Sequence, residues 1–343
     1  MKTAIYLCIC CMAAGAMAAE SKVMVVPVDA KLSEPFGIDF DQSGVMYVIE
    51  YGGHRLIKVN DGRAEVVAGN AEKGFGGDGG PAGKAQLNSP HSIAIGPGGD
   101  IYIADTLNCR VRKIDARSGV IGTFAGTGKR GFGGDGGGAE RAEFGNIYCV
   151  AFDPKFEHMY LADLDNRRIR AIDMKSGIVS TVAGNGKKGV PLDGAEAKDQ
   201  PLVDPRAVAA DGAGNVYVLE RSGNALRVVD ASGKIRTVAG TGKAGYSGDG
   251  GAAREAMMNG PKHLVVQRSG DVLICDTENH VIRRYRVKEG TIELVAGTGK
   301  MGLGGVGGAA EKCQLARPHG VFEGADGTIY IADSENNRIL QVR

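Results

Sequence analysis

One motif recurs along the chain at a period of about 57 residues, and this repetition constrains the fold more than any other feature. Its clearest copy reads Y-I-A-D at residues 102–105. The acidic residue that ends each copy is its anchor, and successive anchors lie 55 to 58 residues apart. The anchors are Glu50, Asp105, Asp163, Glu220, Asp276 and Asp333. Such a period indicates that one structural unit is repeated six times.

Each repeat shows the signals of four short strands in the same order. A short apolar run comes first, in most copies after a proline, and is followed by a tight turn such as residues 97–100. The second strand ends in the anchor, the third follows a D-x-x-N-x-R turn, and the fourth carries V-A-G or a close variant. Short strands and tight turns without a helical period predict an all-β protein.

Six such units predict a six-bladed β-propeller, because a lone four-stranded sheet cannot bury both faces, whereas blades packed around an axis do so. The predicted blades cover approximately residues 35–70, 90–127, 147–185, 205–241, 261–298 and 318–343. The last copy lacks a V-A-G strand. We expect the apolar residues 23–28 to supply this outer strand and to close the ring.

The repeat resembles the NHL repeat, the unit of a large family of six-bladed propellers. The shared pattern is P-x-G-I/V-A-x-D-x-x-G-x-I/V-Y-I/V-A-D-x-x-N-x-R, and it extends over residues 35–343. The tail A-G-x-G-x-x-G-x-x-G-D-G-G-x-A is similar to the bacterial and teneurin-like branch. The resemblance implies the fold but no single activity, since relatives include binding platforms, ligand-binding scaffolds and a few lyases or lactonases.

Residues 1–19 have the features of a secretory signal. Lys2 supplies the positive start, an apolar stretch follows, and residues 16–18 form a small-x-small cleavage site. The apolar stretch is shorter than the roughly 20 residues that a membrane span needs. We therefore expect a secreted or periplasmic protein whose residues 20–343 form a single propeller without a membrane span.

The charge balance argues against a nucleic-acid partner. Without Lys2, the 41 basic side chains fall to 40 and equal the 40 acidic ones. Nucleic-acid binding needs a strongly basic surface. A chain of zero formal charge is therefore expected to bind no nucleic acid.

Four cysteines follow the signal, and none lies in a C-x-x-C spacing. They are Cys109, Cys149, Cys275 and Cys313. An oxidising compartment permits disulfides, and four cysteines allow three pairings. Disulfides and free buried thiols both remain open at this point.

The D-x-x-N-x-R turn is expected to be structural. Asp105, Asn108 and Arg110 have counterparts in most of the other repeats. A catalytic site is normally singular, whereas this constellation recurs six times. We expect each anchor carboxylate to accept hydrogen bonds from its own turn and to pair with arginine.

Glycine-rich connectors join the repeats. The sequence G-F-G-G-D-G-G at residues 74–80 recurs at 131–137 and, slightly altered, at 245–251. A phosphate-binding loop leads into a helix, whereas each connector leads toward a strand. One carboxylate per loop is few for calcium. We expect the glycines to adopt positive φ angles and the aspartates to accept hydrogen bonds from backbone donors.

A more discriminating set occupies the position after the proline of each repeat. This position begins the innermost strand, so its side chains are expected at the mouth of the central channel. Unlike the anchors, they differ from blade to blade, as a binding site requires. The set is Phe36, His91, Tyr148, Arg206, Lys262 and His319, with His263 one position further along.

No cofactor is predicted, although a divalent metal is an alternative. His91, His263 and His319 in principle suit zinc with an open fourth position. Histidines that form hydrogen bonds around a wet channel are the favoured interpretation. For the lactonase relatives, the resemblance implies a divalent metal held by Glu, Asn and Asp, but the channel-mouth set contains no carboxylate.

We therefore predict a binding or scaffold module that acts through its channel-mouth face on a protein or glycan ligand. The alternative is a lyase or lactone hydrolase with a metal or polar site at the central channel. Basic residues in the connectors favour an acidic polysaccharide as one possible ligand. They are Lys73, Lys129, Arg130, Lys187, Lys188, Lys243 and Lys300.

Overall fold

Six antiparallel sheets surround a central channel in the computed structural model, which describes residues 21–343. Strand β1 (Val23–Val25) comes first in the described chain. Within the sheets, strands that are adjacent in sequence pair with each other, and the first strand of each repeat lines the channel. This arrangement is a six-bladed β-propeller, which confirms the predicted fold class.

The strands follow the repeats in order. The first blade contains β2 (Pro35–Phe40), β3 (Met46–Glu50), β4 (Arg55–Asn60) and β5 (Arg63–Ala68). The second contains β6 (Ser92–Ile95), β7 (Ile101–Asp105), β8 (Arg110–Ile114) and β9 (Ile121–Ala125). The third contains β10 (Ile147–Phe152), β11 (His158–Asp163), β12 (Arg168–Asp173) and β13 (Val179–Ala183).

The remaining blades show two variations. The fourth adds a short edge strand, β14 (Ala195–Glu196), to β15 (Pro205–Ala210), β16 (Val216–Glu220), β17 (Ala225–Val229) and β18 (Lys234–Ala239). The fifth contains β19 (His263–Val266), β20 (Val272–Asp276), β21 (Val281–Arg286) and β22 (Thr291–Ala296). The sixth contains β23 (Gly320–Glu323), β24 (Ile329–Asp333) and β25 (Arg338–Val342), with β1 as its outer strand.

The core lies between neighbouring blades. The second strand of a blade is the most deeply buried, and every residue of β7, β16 and β20 is buried. Because neighbouring blades cover both of its faces, such a strand is almost continuously apolar rather than alternating. This explains why these strands show no clear two-residue alternation in the sequence.

The ring closes through β1, as predicted. Val23 pairs with Val342 and Val25 with Leu340 in antiparallel register, and Val23 is fully buried. The strand is shorter than the predicted residues 23–28. The N–H of Val26 still donates to Ile339 at 2.9 Å, but Pro27 has no N–H to continue the ladder.

Steric crowding explains why the V-A-G motif ends in glycine. Gly69 has a φ of +85°, and a Cβ there would lie 2.2 Å from the carbonyl oxygen of His54. Only glycine fits so close a backbone approach at a positive φ. The equivalent glycines, Gly126, Gly184, Gly240 and Gly297, also have positive φ and equally close backbone neighbours.

Short 3-10 helices occur in the connectors and in the turns after some anchors. In the connectors they are Ala82–Lys84, Ala139–Arg141, Ala197–Asp199, Ala253–Glu255 and Ala310–Lys312. After the anchors they are Thr106–Asn108, Thr277–Asn279 and Ser334–Asn336. A connector therefore leads through a single short turn into the next blade, which is not the helix entry of a phosphate-binding loop.

The predicted signal at residues 1–19 lies outside the described residues. Within residues 21–343, no helix combines the length and the apolar character that crossing a bilayer requires. The four cysteines of this part of the chain are all buried free thiols. Of the two alternatives left open for the cysteines, the structure contains the free thiols.

Candidate functional site

Six of the seven predicted mouth residues surround one cavity at an end of the central channel. The cavity has a volume of about 270 Å³. In three blades a bulge at the start of the inner strand interrupts the pairing at this position, as between Pro35 and Gly37. A bulge redirects a side chain. The six residues are Phe36, His91, Tyr148, Arg206, Lys262 and His319.

One half of the mouth is aromatic. The ring of Phe36 stacks on His319 with centroids 3.9 Å apart and on Tyr51 with centroids 4.6 Å apart. His91 meets Tyr148 edge to face at 4.5 Å. These rings form a continuous wall, which is suited to a planar group of a ligand.

Arg206 begins the cationic half. Its guanidinium carbon lies 3.9 Å from the centroid of the Tyr148 ring, and the residue is 5% exposed. Among residues 21–343, its side chain has no ion pair and no hydrogen bond, and its Nε is buried without a partner. Burial lowers the pKa of Arg206 to about 10, so the group remains a cation at neutral pH.

The other arginines at the mouth form ion pairs with carboxylates. Arg221 donates to Asp204 at 2.8 Å, and Arg317 donates to Glu278 at 2.7 Å and to Glu335 at 2.8 Å. The unpaired state of Arg206 is therefore specific to this position rather than general at this face.

Lys262 is the second cation of the predicted set. Its Nζ lies 2.7 Å from Glu278 Oε1 and 3.3 Å from His319 Nε2. Burial lowers the pKa of Lys262 to about 8, although Glu278 opposes this effect. The charge of Lys262 is consequently sensitive to pH just above neutrality.

The two histidines of the mouth are held in defined orientations. His319 Nδ1 lies 2.8 Å from the carbonyl oxygen of Arg317. His91 Nδ1 lies 2.9 Å from both the carbonyl oxygen of Ser89 and the hydroxyl of Thr106. Burial lowers the pKa of both histidines well below the usual value. Both imidazoles are therefore neutral at pH 7.

His263 does not belong to this cavity. It lines a different cavity at the other end of the channel, and its Nδ1 accepts the N–H of Val321 at 3.3 Å. The structure thus does not bring His91, His263 and His319 together as the zinc alternative requires. Within residues 21–343, the group of potential ligands close enough to share a metal is instead Asp153, Glu157 and His158, which is a surface turn of the third blade.

The anchors bind their own turns, but in four of the six blades the arginine partner differs from the expected one. Asp105 accepts the N–H of Asn88 at 2.7 Å and the side chain of Asn108 at 2.8 Å. Its arginine is Arg112, at 3.2 Å, rather than Arg110 of the D-x-x-N-x-R turn. Residues 110 and 112 lie on the same face of β8 because side chains alternate along a strand, so either residue is able to reach the anchor.

The position of the arginine that pairs with the anchor depends on the blade. In the second to fifth blades the partner lies seven residues after the anchor, whereas in the first and sixth it lies five residues after. The seven-residue partners are Arg112, Arg170, Arg227 and Arg283. The five-residue partners are Arg55 and Arg338, whose blades have Ile57 and Leu340 at the later position.

The connector aspartates are partners of these same buried arginines. Asp135 accepts from Arg170 at 2.6 Å, and Asp249 accepts from Arg283 at 2.9 Å. Asp78 pairs with Arg112 in the same way. Asp78 also accepts the expected backbone N–H, that of Thr123 at 3.2 Å, but arginines are partners of all three aspartates. Since their oxygens are engaged by guanidinium groups, the loops do not form open calcium sites.

Several further residues of the mouth were not predicted. Most of them lie one or two positions after an anchor, and their identity varies between blades, a variation that is visible in the sequence. These are Tyr51, Leu107, Arg221, Ser334 and Glu335. Two more, Glu34 and Arg317, directly precede Pro35 and Pro318. The inner ring itself contains no carboxylate, but Glu34 and Glu335 place two carboxylates at the cavity wall.

Comparison with known proteins places the chain among repeat propellers. The model described as the Teneurin NHL domain matches residues 139–246, and that of the NHL repeat matches residues 87–114. The Arabidopsis thaliana protein SUPPRESSOR OF QUENCHING 1, chloroplastic, is 27% identical over 276 residues, which cover 76% of this chain and 26% of that protein. NHL repeat-containing protein 2 of Gallus gallus is 26% identical over 89% of this chain and 46% of its own length.

The chain thus spans less than half the length of these two relatives. Among solved structures, an auxiliary nutrient binding protein from Bacteroides thetaiotaomicron superposes with a TM-score of 0.68 at 15% identity, covering 94% of this chain and 72% of that one. Virginiamycin B lyase from Staphylococcus aureus superposes with a TM-score of 0.58 at 15% identity, covering 94% and 99%. At these identities the likeness concerns the fold. The matches to the NHL repeat and to the Teneurin NHL domain, together with the six blades, make this chain similar to NHL-repeat proteins.

Proposed function

We propose that this propeller is a binding module whose channel mouth takes a small organic anion with a planar or ring-shaped part. The observation that carries the proposal is Arg206, a buried guanidinium at the cavity wall without a partner among the described residues. Burying an unpaired charge is costly. A ligand carboxylate supplies the missing partner and is able to form two parallel hydrogen bonds with a guanidinium.

The surroundings of Arg206 fit the same ligand. Lys262 adds a second cation beside the cavity, and the aromatic stack of Tyr51, Phe36 and His319 lines it. The volume of about 270 Å³ is near the lower end of small-molecule sites, which begins at about 300 Å³. A small molecule with a carboxylate group, or the terminal uronate of an acidic glycan, fits this volume better than a folded protein partner.

The fold comparison and the expected export support a binding role outside the cytoplasm. A propeller of the same architecture is named an auxiliary nutrient binding protein. A secreted or periplasmic location, expected from residues 1–19, would expose the mouth to solutes of that compartment. We therefore propose a secreted or periplasmic location together with the binding role.

Calorimetric titration with charged probes and their neutral counterparts tests the proposal. We expect benzoate and glucuronate to bind, and we expect benzyl alcohol and glucose to bind at least tenfold more weakly. The probes of each pair are similar in shape, so the difference reports the carboxylate. A hydrogen bond to a charged group contributes about 1.5–3 kcal/mol, which corresponds to more than tenfold in affinity.

A matched pair of variants assigns this difference to the mouth. Arg206→Gln is expected to weaken benzoate and glucuronate binding at least tenfold. Arg141→Gln removes the same charge from a connector side chain that is 87% exposed, and it should leave both affinities unchanged. Equal affinity of wild-type protein and Arg206→Gln for both anions would rule out the proposal.

His91 favours a second candidate function, which is catalysis on a lactone or a related cyclic ester. Its imidazole is neutral at pH 7, and its Nε2 has no hydrogen bond with any residue of the described chain. This nitrogen is free to accept a proton, but the burial that lowers the pKa of His91 makes it a weak general base. Release of acid from glucono-1,5-lactone, followed at constant pH, distinguishes this candidate from simple binding. A rate equal to that of buffer alone would exclude hydrolysis of this substrate.

A further inference from the structure

A second cavity lies at the opposite end of the channel. It has a volume of about 290 Å³, and aliphatic and aromatic side chains form most of its wall. The later residues of the inner strands supply this wall, whereas the first residues of the same strands form the mouth described above. The two ends of one channel therefore have opposite chemical character.

One carboxylate interrupts the apolar wall. Asp39 occupies a position of the inner strand that is apolar in every other repeat. Its equivalents are Ala94, Ala151, Ala209, Val265 and Phe322. Because the equivalent residues are small or apolar, the repeat itself does not require an aspartate at this position.

Asp39 has no cationic partner. Its Oδ1 accepts the N–H of Phe40 at 2.7 Å, and its Oδ2 accepts the N–H of Ile95 at 2.8 Å. No ion pair joins it to an arginine, lysine or histidine within residues 21–343. A carboxylate accepts about four hydrogen bonds, so each oxygen keeps capacity for a further donor.

The other titratable residues of this cavity do not compensate the charge. They are Asp153, Cys149 and His263. Burial lowers the pKa of His263 to about 4 and raises that of the Cys149 thiol, so both are neutral at pH 7. Burial also raises the pKa of Asp39 itself to about 7, as expected for a carboxylate without a counter-ion.

We propose that this second cavity binds a small hydrophobic ammonium compound, with Asp39 as the counter-ion and the apolar wall around the hydrocarbon part. The ammonium group donates to the carboxylate, and the ligand supplies the counter-ion that the half-buried Asp39 lacks. An apolar pocket with one placed polar group is the usual form of a small-molecule site. The site is distinct from the cationic mouth, which repels such a ligand.

Benzylamine is the probe, and benzyl alcohol is its neutral counterpart of similar shape. In calorimetric titrations of the full chain at pH 8, we expect benzylamine to bind at least tenfold more tightly than benzyl alcohol. Asp39→Asn should abolish this preference. Asp61→Asn makes the same change at an exposed residue of the same blade whose φ of +48° asparagine tolerates, and it should preserve the preference.

Two further variants keep the proposal testable if Asp39→Asn does not fold. Ala151→Leu adds a larger side chain to the cavity wall and leaves Asp39 itself unchanged. It should weaken benzylamine binding at least tenfold. Arg206→Gln removes a cation of the opposite mouth whose charge reaches His263 and Cys149 of this cavity, so it should not weaken benzylamine binding. The proposal is overturned if millimolar benzylamine does not bind, if Ala151→Leu and wild-type protein bind it equally, or if Arg206→Gln weakens its binding.

Discussion

At the scale of single residues, three buried arginines each join their own blade to the connector that precedes it, namely Arg112, Arg170 and Arg283. Arg283 is fully buried, and it donates to Asp249 of the connector at 2.9 Å and to the anchor Asp276 at 3.4 Å. It also donates to the carbonyl oxygens of Met257 and Ser247, each at 2.8 Å. The guanidinium thus contacts two carboxylates and two carbonyl oxygens.

Replacing Arg283 with methionine is expected to destabilise the protein strongly. The variant leaves the anchor carboxylate buried without its cation, and breaking a buried pair in this way costs about 3–5 kcal/mol. Urea denaturation measures the free energy of unfolding. Arg236→Met, at an arginine that is 52% exposed, should change it by less than about 0.5 kcal/mol. A similar small change in both variants would contradict the role given to Arg283.

Lys262 is expected to give the proposed anion binding a pH dependence. Its pKa of about 8 means that the ammonium is present at pH 7 and largely lost at pH 9, while Arg206 stays charged. Affinity for benzoate should therefore fall by about tenfold between pH 7 and pH 9, as expected for one charge-assisted hydrogen bond. Titrations at both pH values test this. Lys262→Met should bind weakly and equally at both, and a pH-independent wild type would argue against Lys262 as a ligand contact.

At the scale of strands, β1 completes the sixth blade with very few residues. It contributes three residues, of which Val23 is fully buried and Val25 is 44% exposed. Val23 packs in the cluster that includes Leu340 and Val342 of β25. One side chain of this strand therefore accounts for most of the apolar contact that closes the ring.

A charge at Val23 is expected to open the ring. Val23→Asp buries a carboxylate without a partner and should lower the free energy of unfolding by more than about 3 kcal/mol. Val25→Asp places the same charge in the same strand on its exposed side and should change stability by less than about 1 kcal/mol. Thermal and urea denaturation of both variants provide the measurement. Equal melting temperatures of Val23→Asp and wild-type protein would exclude closure through β1.

The direction of a side chain at the start of an inner strand depends on local pairing that the repeat pattern does not reveal. In the fifth blade, His263 pairs regularly with Cys275, so the regular strand begins at His263 and Lys262 lies just before it, at the mouth. In the first blade a bulge separates Pro35 from Gly37 and frees Phe36 for the same position. Counting positions therefore identified six mouth residues but placed His263 with the wrong set.

At the scale of the whole molecule, the repeat period was sufficient to predict six blades and closure by residues near 23. It was not sufficient for the side-chain contacts within and between the blades. The pairing of Asp105 with Arg112 depends on which face of β8 meets the anchor, and Tyr51 joins the mouth only because the turns of neighbouring blades converge. Asp39 departs from the alanine of the shared pattern, and this departure becomes informative only when the channel wall around it is known.

The pairing of Val23 with Val342 also has a consequence for the order of folding during synthesis. The sixth blade cannot acquire its outer strand until the ribosome has released nearly all of the described chain. Until then, five blades must persist as an open arc whose end faces expose apolar surface. Contacts between residues so far apart form late and slowly, and partly assembled chains with exposed apolar faces tend to aggregate. The interval before closure is therefore the stage at which this protein is most exposed to aggregation.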